Sequence, residues 1–264
     1  MKNSYTTEET GVMLYAMPNG SFDLCMAWIG NSFRVVVKNA TSNEIIYLRT
    51  YHFQNAIQFK DAATELKSIV ATDVLFADTY RTIKIGLAYR AELFPSTHYN
   101  KPATDFLSKK LNGNDITIAA PIAHSEMEFY AAFFPKASFE LLASNWMELI
   151  LPNADIDTLF IHVSHHTLWI AHTAHHAKLN FFSTFEFKTA EDFAYYTNLV
   201  AVELGLDRTK IGVVLSGDLS ADSALQKMAY TYFHQVRFME NSKNTFSRLF
   251  DAYPKHQNID LFSL

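Results

Sequence analysis

Two stretches of this chain spell the same junction. Thr50-Tyr51-His52-Phe53-Gln54-Asn55-Ala56 and Thr184-Phe185-Glu186-Phe187-Lys188-Thr189-Ala190 both read T-(aromatic)-x-F-x-x-A. Each stands where an alternating apolar pattern gives way to a period near 3.6, the change that marks a strand handing over to a helix. A repeated strand-to-helix junction predicts a repeated half-domain. That excludes most single-layer and all-helical arrangements and places the chain among α/β folds.

The surroundings of the two junctions extend the parallel. Leu24–Ile29, Phe33–Lys38 and Glu44–Tyr51 read as three strands, broken by Gly30-Asn31 and Thr41-Ser42-Asn43. From Asn55 to Val70 the residues Phe59, Ala62, Ala63, Leu66 and Ile69 form one helical face, and Thr82–Ala88 alternates as a strand. Residues 1–21 read as a polar lead-in with a turn at Pro18-Asn19-Gly20. Between 93 and 150 the pattern suggests a short helix near Ala103–Leu111, strands near Ile116–Ala120 and Glu128–Phe134, and a helix from Ser138 to Leu151. Pro152-Asn153 ends that helix and divides the chain into units 1–152 and 153–264. In the second unit Leu159–Ser164 and Thr167–Thr173 predict a hairpin, with Lys178–Phe187 as a third strand. Thr189 and Asp192 have capping-box spacing, and Gly205 is placed to stop the helix. Ile211–Leu215 is an apolar run suited to a strand buried on both faces. Ser216-Gly217-Asp218 turns the chain into a helix from about Ala221 to Tyr232, and Gln235–Met239 closes as a strand.

Three antiparallel strands extended by parallel strands through crossover helices describe a ribonuclease-H-like half. Two in tandem describe the actin-like ATPase fold. The run Phe181–Tyr196, continuing through Glu203-Leu204-Gly205-Leu206-Asp207 and Val214-Leu215-Ser216-Gly217, resembles a bacterial family of unknown function, mainly from Bacteroidetes, with that fold. The tail Pro254-Lys255-His256, ending Asp260-Leu261-Phe262, is similar to that family's C-terminus, so the specific match spans roughly residues 159–264. The resemblance implies a fold and a cytoplasmic location, and carries no activity.

Active actin-like proteins hold ATP and magnesium between their halves, on D-x-G turns of the first hairpins and a Gly-Gly turn late in the second half. This chain departs from each of these features. Asp23 is followed by Cys25 where glycine belongs, and the first hairpin turn carries only Gly30. The second hairpin turn reads Ser164-His165-His166-Thr167, and Ser216-Gly217-Asp218 offers one glycine. The 8 glycines are about half the usual ~7%, none closer than five residues to another, with no G-x-G-x-x-G or Walker A sequence. Backbone can approach phosphate closely only where clustered glycines remove the Cβ obstacle. Ser164, Thr167, Ser216 and Gly217 are therefore the residues of a degenerate nucleotide cleft, with no catalytic residue among them.

Six of the 11 histidines lie between His162 and His176: His162, His165, His166, His172, His175 and His176. A two-residue hairpin turn at 165–166 pairs Ser164 with Thr167 and His162 with Trp169. It also separates the His165-His166 pair from His175-His176 by roughly 20–25 Å at ~3.3 Å per residue, too far for one tetrahedral metal site. The expected role is polar decoration of an exposed hairpin; a metal site is the less favoured reading. Cys25 lies in an apolar strand and reads as core, Asp155 and Asp157 as a solvated linker. The apolar tail reads as docking back on its own domain.

A formal charge of -5, from 22 basic and 27 acidic residues, with Lys109-Lys110 the only adjacent basic pair, argues against nucleic acid as partner. A single cysteine leaves no internal disulfide, and no apolar run reaches the ~20 residues needed to span a bilayer. The sequence thus predicts a cytoplasmic, non-catalytic actin-like scaffold without cofactor that binds a protein partner, a homodimer being compatible. The alternative is a nucleotide-binding ATPase or kinase relative with atypical phosphate loops.

Overall fold

The computed structural model describes residues 5–11, 20–54, 59–77, 79–97, 99–100, 106–113, 115–153, 157–174, 178–241 and 244–264. Along the chain these form β1 (Tyr5–Gly11), β2 (Phe22–Ile29), β3 (Ser32–Asn39), β4 (Glu44–Phe53), α1 (Phe59–Thr72) and β5 (Thr82–Leu87). There follow β6 (Glu92–Pro95), β7 (Phe106–Lys110), β8 (Ile116–Pro121), α2 (His124–Phe133), β9 (Ser138–Leu141) and α3 (Leu142–Ile150). The second unit holds β10 (Thr158–Ser164), β11 (Thr167–Ala174), β12 (Lys178–Glu186), α4 (Ala190–Glu203), β13 (Gly212–Gly217), α5 (Ala224–Tyr232) and β14 (Gln235–Phe238). Short β15 (Thr245–Phe246) and α6 (Ile259–Phe262) end the chain.

The same order of pairing recurs in two sheets. In the first, β2, β3 and β4 form an antiparallel meander, and β5 then β9 add on in parallel beside β2. In the second, β10, β11 and β12 form the meander, and β13 then β14 add on in parallel beside β10. Both T-(aromatic)-x-F-x-x-A stretches follow this scheme, running from the end of β4 toward α1 and from β12 into α4. A three-stranded sheet, β6-β8-β7, is inserted between β5 and β9 together with α2.

Local chemistry explains the best-read element. The Thr189 hydroxyl accepts the Asp192 N–H at 3.2 Å while the Asp192 carboxylate accepts the Thr189 N–H at 3.1 Å, a complete capping box. At the other end Gly205 adopts φ 64, its N–H reaches Val202 O, and the Leu206 N–H reaches Ala201 O. That is a Schellman stop, which a residue with a Cβ would strain.

Several expectations are corrected. The lead-in contains strand β1, antiparallel to β4, whose Glu9 accepts from Tyr47 and Arg49 at 2.7 Å each. It reads as polar because it is an edge strand with a solvent-facing side. Phe106–Lys110 is a strand rather than part of a helix. Residues 124–133 are a helix where a strand near Glu128–Phe134 is expected. Phe129 and Tyr130 there pack on the Phe59 ring at 5.0 and 5.5 Å, a contact distant in sequence. Ser138–Leu141 is a strand completing the sheet, so only Leu142–Ile150 is helical. The helix expected from about Ala221 begins at Ala224, behind a Ser223 cap. The turn at Pro18-Asn19, the helix start at Asn55, Ala103, Asp155 and His175-His176 lie outside the described residues.

The core explains the layering. Leu159, Ile161 and Val163 of β10 point to α4 and α5, whereas Phe160 and Trp169 join the apolar cluster of the first sheet. Helix α3 lies at this junction and is buried nearly all round, with Trp146 fully enclosed. The C-terminal tail does not dock on the second unit alone. Phe250, Ile259, Leu261 and Phe262 are buried in the cluster built by the first sheet, and β15 pairs with β4.

Candidate functional site

The space between the two sheets is where the tips of the two equivalent hairpins meet. Gly30, in the β2–β3 turn, has φ 60, and His165, in the β10–β11 turn, has φ 54. A Cβ placed on Gly30 would fall 2.3 Å from His165 Cγ, so the tips are in contact and only glycine fits there.

Behind the tips lies a charged clasp. Arg34 on β3 donates from both terminal nitrogens to the two oxygens of Asp218, each at 2.7 Å. Arg34 Nη1 also reaches Asn258 Oδ1 at 2.6 Å, and Nε reaches the Ser32 hydroxyl at 3.2 Å. Asp218 Oδ2 accepts the His165 N–H at 3.1 Å. The first sheet, the second hairpin, the end of β13 and the tail are thus tied through one bidentate pair. Burial opposes both charges, but the pairing outweighs it: the Asp218 carboxyl is held below its ordinary range and the Arg34 guanidinium above its own.

A second polar group lies deeper. The Ser216 hydroxyl accepts the Trp146 N–H at 3.2 Å and meets His162 Nδ1 at 3.0 Å. His162 stacks on Trp169 at 4.6 Å, and its Nε2 lies 3.5 Å from Asp260. Serine, histidine and aspartate in line resemble a hydrolytic triad by residue type. The His162 and Asp260 side chains are 1% and 3% exposed, and Ser216 is buried with them. Sealed beneath two tryptophans, the group knits the two units together and offers no nucleophile to a substrate.

The residues expected to line a nucleotide cleft are placed as follows. Ser164 and Thr167 face each other across the hairpin register, as the two-residue turn requires. Ser216 belongs to the buried group. Gly217 has φ 92 and donates to His256 O at 2.8 Å; a Cβ there would come 2.0 Å from Val163 O. Ser164, Ser216 and Gly217 are buried and Thr167 is half-buried. His162 and His172 correct the exposed-hairpin reading, since both are buried. Both strands are covered on both faces: His162 lies on the side opposite Leu159 and Ile161 and meets Trp146 of α3, whereas His172 pairs in register with Leu159 on the side of α4 and α5. Among the described residues no three His, Cys, Asp or Glu side chains converge as metal ligands.

The fold implies ATP and magnesium between the halves; there the two hairpin tips touch and Arg34 is paired with Asp218. A cavity of about 160 Å3 beside that pair is lined by side chains of both signs, among them Glu8, Glu9, Arg34, His52 and Asp218. Asp23 does not face the junction as a metal ligand. It is paired with Arg81 and accepts from the Thr82 hydroxyl at 2.7 Å.

Sequence reasoning missed Arg34 and Lys38 although a signal was present. Both sit in the strand Phe33–Lys38, otherwise three valines and a phenylalanine. A charge in a strand buried on both faces demands a partner. Lys38 finds its own in the tail, donating to Phe262 O at 2.6 Å and Leu264 O at 3.2 Å. Cys25, read as core, is buried beneath the same tail.

Comparison with known proteins agrees with this architecture. The family model described as protein of unknown function (DUF3822) matches residues 19–236. A solved Bacteroides thetaiotaomicron VPI-5482 protein with an actin-like ATPase fold and unknown function superposes with TM-score 0.74 at 17% identity, covering 89% of this chain and 96% of that one. The type IV pilus biogenesis complex PilM–PilN gives TM-score 0.60 at 10% identity, with 94% and 98% covered. The ethanolamine utilization protein EutJ of Carboxydothermus hydrogenoformans gives 0.53 at 9% identity, with 94% and 89% covered. At these identities the likeness establishes the actin-like fold. No curated protein matches the chain.

Proposed function

The chain belongs to this family of unknown function, and from that premise we propose that it is a non-catalytic scaffold on the actin-like fold that binds a protein or peptide partner. The observation that carries the proposal is the closed junction, where touching hairpin tips and the Arg34–Asp218 clasp fill the space a nucleotide would need. Support for a partner comes from the outward side of the second sheet. Tyr195 and Val202 on α4 are 61% and 66% exposed, and with Leu199, Met228 and Tyr232 they line a groove of about 530 Å3 between α4 and α5. Helix α4 is thus apolar toward the sheet and again toward solvent, a pattern suited to a helix covered on two sides. One solved structure of the same fold is itself a protein complex, PilM with PilN. No helix among the described residues is long and apolar enough to cross a membrane, which is compatible with the cytoplasmic placement we propose.

Calorimetric titration with ATP and magnesium tests the reading directly. We expect no saturable heat at millimolar nucleotide; a saturable isotherm would establish the nucleotide-binding alternative instead.

A further inference from the structure

A second cavity, of about 340 Å3, opens beside Gly30 on the first unit. It lies outside the carboxyl ends of the parallel strands β2 and β5, the usual ligand crevice of open α/β sheets. Trp28 and Phe59, whose ring centroids are 6.1 Å apart and edge-to-face, form apolar walls, with Tyr89 and Glu126 also in the lining. The polar end of the cavity is incomplete. The Tyr89 hydroxyl accepts the Ala123 N–H at 3.1 Å and donates to Glu126 Oε2, which fully employs the phenol. Glu126 Oε1 has no hydrogen-bond partner among the described residues, and no Lys, Arg or His among them pairs with this carboxylate. Burial pushes the Glu126 carboxyl up, against the opposing effect of the Tyr89 bond. The fully buried Tyr130 hydroxyl, which also lacks a hydrogen-bond partner among the described residues, is close enough to feel both Glu126 and Tyr89.

A half-buried carboxylate loses part of its hydration, and no cation among the described residues pairs with it. An anionic ligand would be repelled, and a neutral apolar one would leave the carboxylate unpaired. One carboxylate and one phenol are too few ligands to hold a metal ion. Aromatic walls beside a carboxylate suit an organic cation, through ring quadrupoles and a charge-assisted hydrogen bond together. Lys60, exposed at the rim, favours a ligand whose outer end accepts hydrogen bonds rather than carrying a second positive charge. We propose that this cavity binds a primary ammonium group on a short apolar stem, with Glu126 as the anionic anchor and Trp28 and Phe59 around the stem. Either a free alkylamine or the lysine side chain of a polypeptide presents that chemistry. The site stands independently of the closed junction.

Calorimetric titration of the full chain with pentylammonium chloride, with N-acetyl-lysine methylamide and with pentanol tests the proposal. Saturable binding of at least one ammonium probe is expected, with none for pentanol. Glu126→Gln should keep the Tyr89 bond yet weaken binding by at least about tenfold, the loss expected for one charge-assisted hydrogen bond. Circular dichroism confirms that the variant is folded, and Phe59→Leu, which leaves the carboxylate in place, should weaken binding by a smaller factor. Tighter binding of the lysine derivative assigns the site to a polypeptide, and tighter binding of pentylammonium assigns it to a free amine. Failure of both ammonium probes to saturate, or equal binding to wild type and Glu126→Gln, overturns the proposal.

Discussion

Arg34 and Asp218 form the bidentate charge pair of the junction. Removing one member strands the other: Arg34→Met leaves Asp218 facing Asn258 and the His165 amide without its cation. A broken buried pair costs roughly 3–5 kcal/mol, and Asp218, with 26% of its side chain exposed, places the loss toward the lower end. The double variant Arg34→Met/Asp218→Leu should recover much of that loss, because no charge is then left unpaired. Urea unfolding of the four proteins checks this; additive losses would show that the two side chains do not act as a pair. The same chemistry sets the response to acid. Burial lowers the pKa of His165, His172 and His256 in the folded chain, so the unfolded state takes up protons first as pH falls below about 6.5. Asp218, also lowered, adds stability above about pH 4 that is lost as pH falls through its folded value. Glu126 runs the other way, its raised value giving stability that is lost as pH rises above about 4.5. The denaturation midpoint should therefore decline from pH 7 to 5 and drop further near pH 4. A midpoint that rises over that interval would contradict the assignment of the histidines.

Elements differ in how fully their own residues specify them. Helix α4 carries its start in Thr189 and Asp192 and its stop in Gly205, and both hairpins carry their turns, so these were legible. Strands β1 and β9 were not, because β1 is a polar edge strand and β9 has only four residues, and each pairs with a neighbour distant in sequence. Helix α2 is decided by packing on Phe59 rather than by propensity. Helix α6 is an extreme case: four residues, all buried, held between α3, β2 and β13. Too short to be stable alone, it depends on its burial and in turn closes the core. Leu261→Ala should therefore cost about 2–5 kcal/mol, a cavity-forming loss like that of any core leucine. A change below ~0.5 kcal/mol in urea unfolding would mean that the tail is not anchored as described.

At the scale of the molecule, the two sheets share one apolar cluster, and the second sheet has a further cluster of its own under α4 and α5. Phe160, Trp169 and Val214 of the second sheet belong to the apolar cluster of the first, with Trp146 between them and the tail crossing the junction. Such a shared interior predicts one cooperative transition, with calorimetric and van't Hoff enthalpies equal; two resolved transitions would show that the units unfold independently. By itself the sequence determined the repeated strand–helix order, the register of the second hairpin, the caps of α4 and the lack of clustered glycines at the turns. All of these depend on residues near one another in the chain. It left open what covers each face. His162 and Arg34 were readable as polar residues on strands, but periodicity assigns residues to a face without saying whether water or another layer lies opposite. Only the tertiary structure decided that α3, the tail and Asp218 lie there. The reason is physical: local sequence sets backbone geometry, whereas burial and charge pairing depend on contacts between residues far apart in the chain.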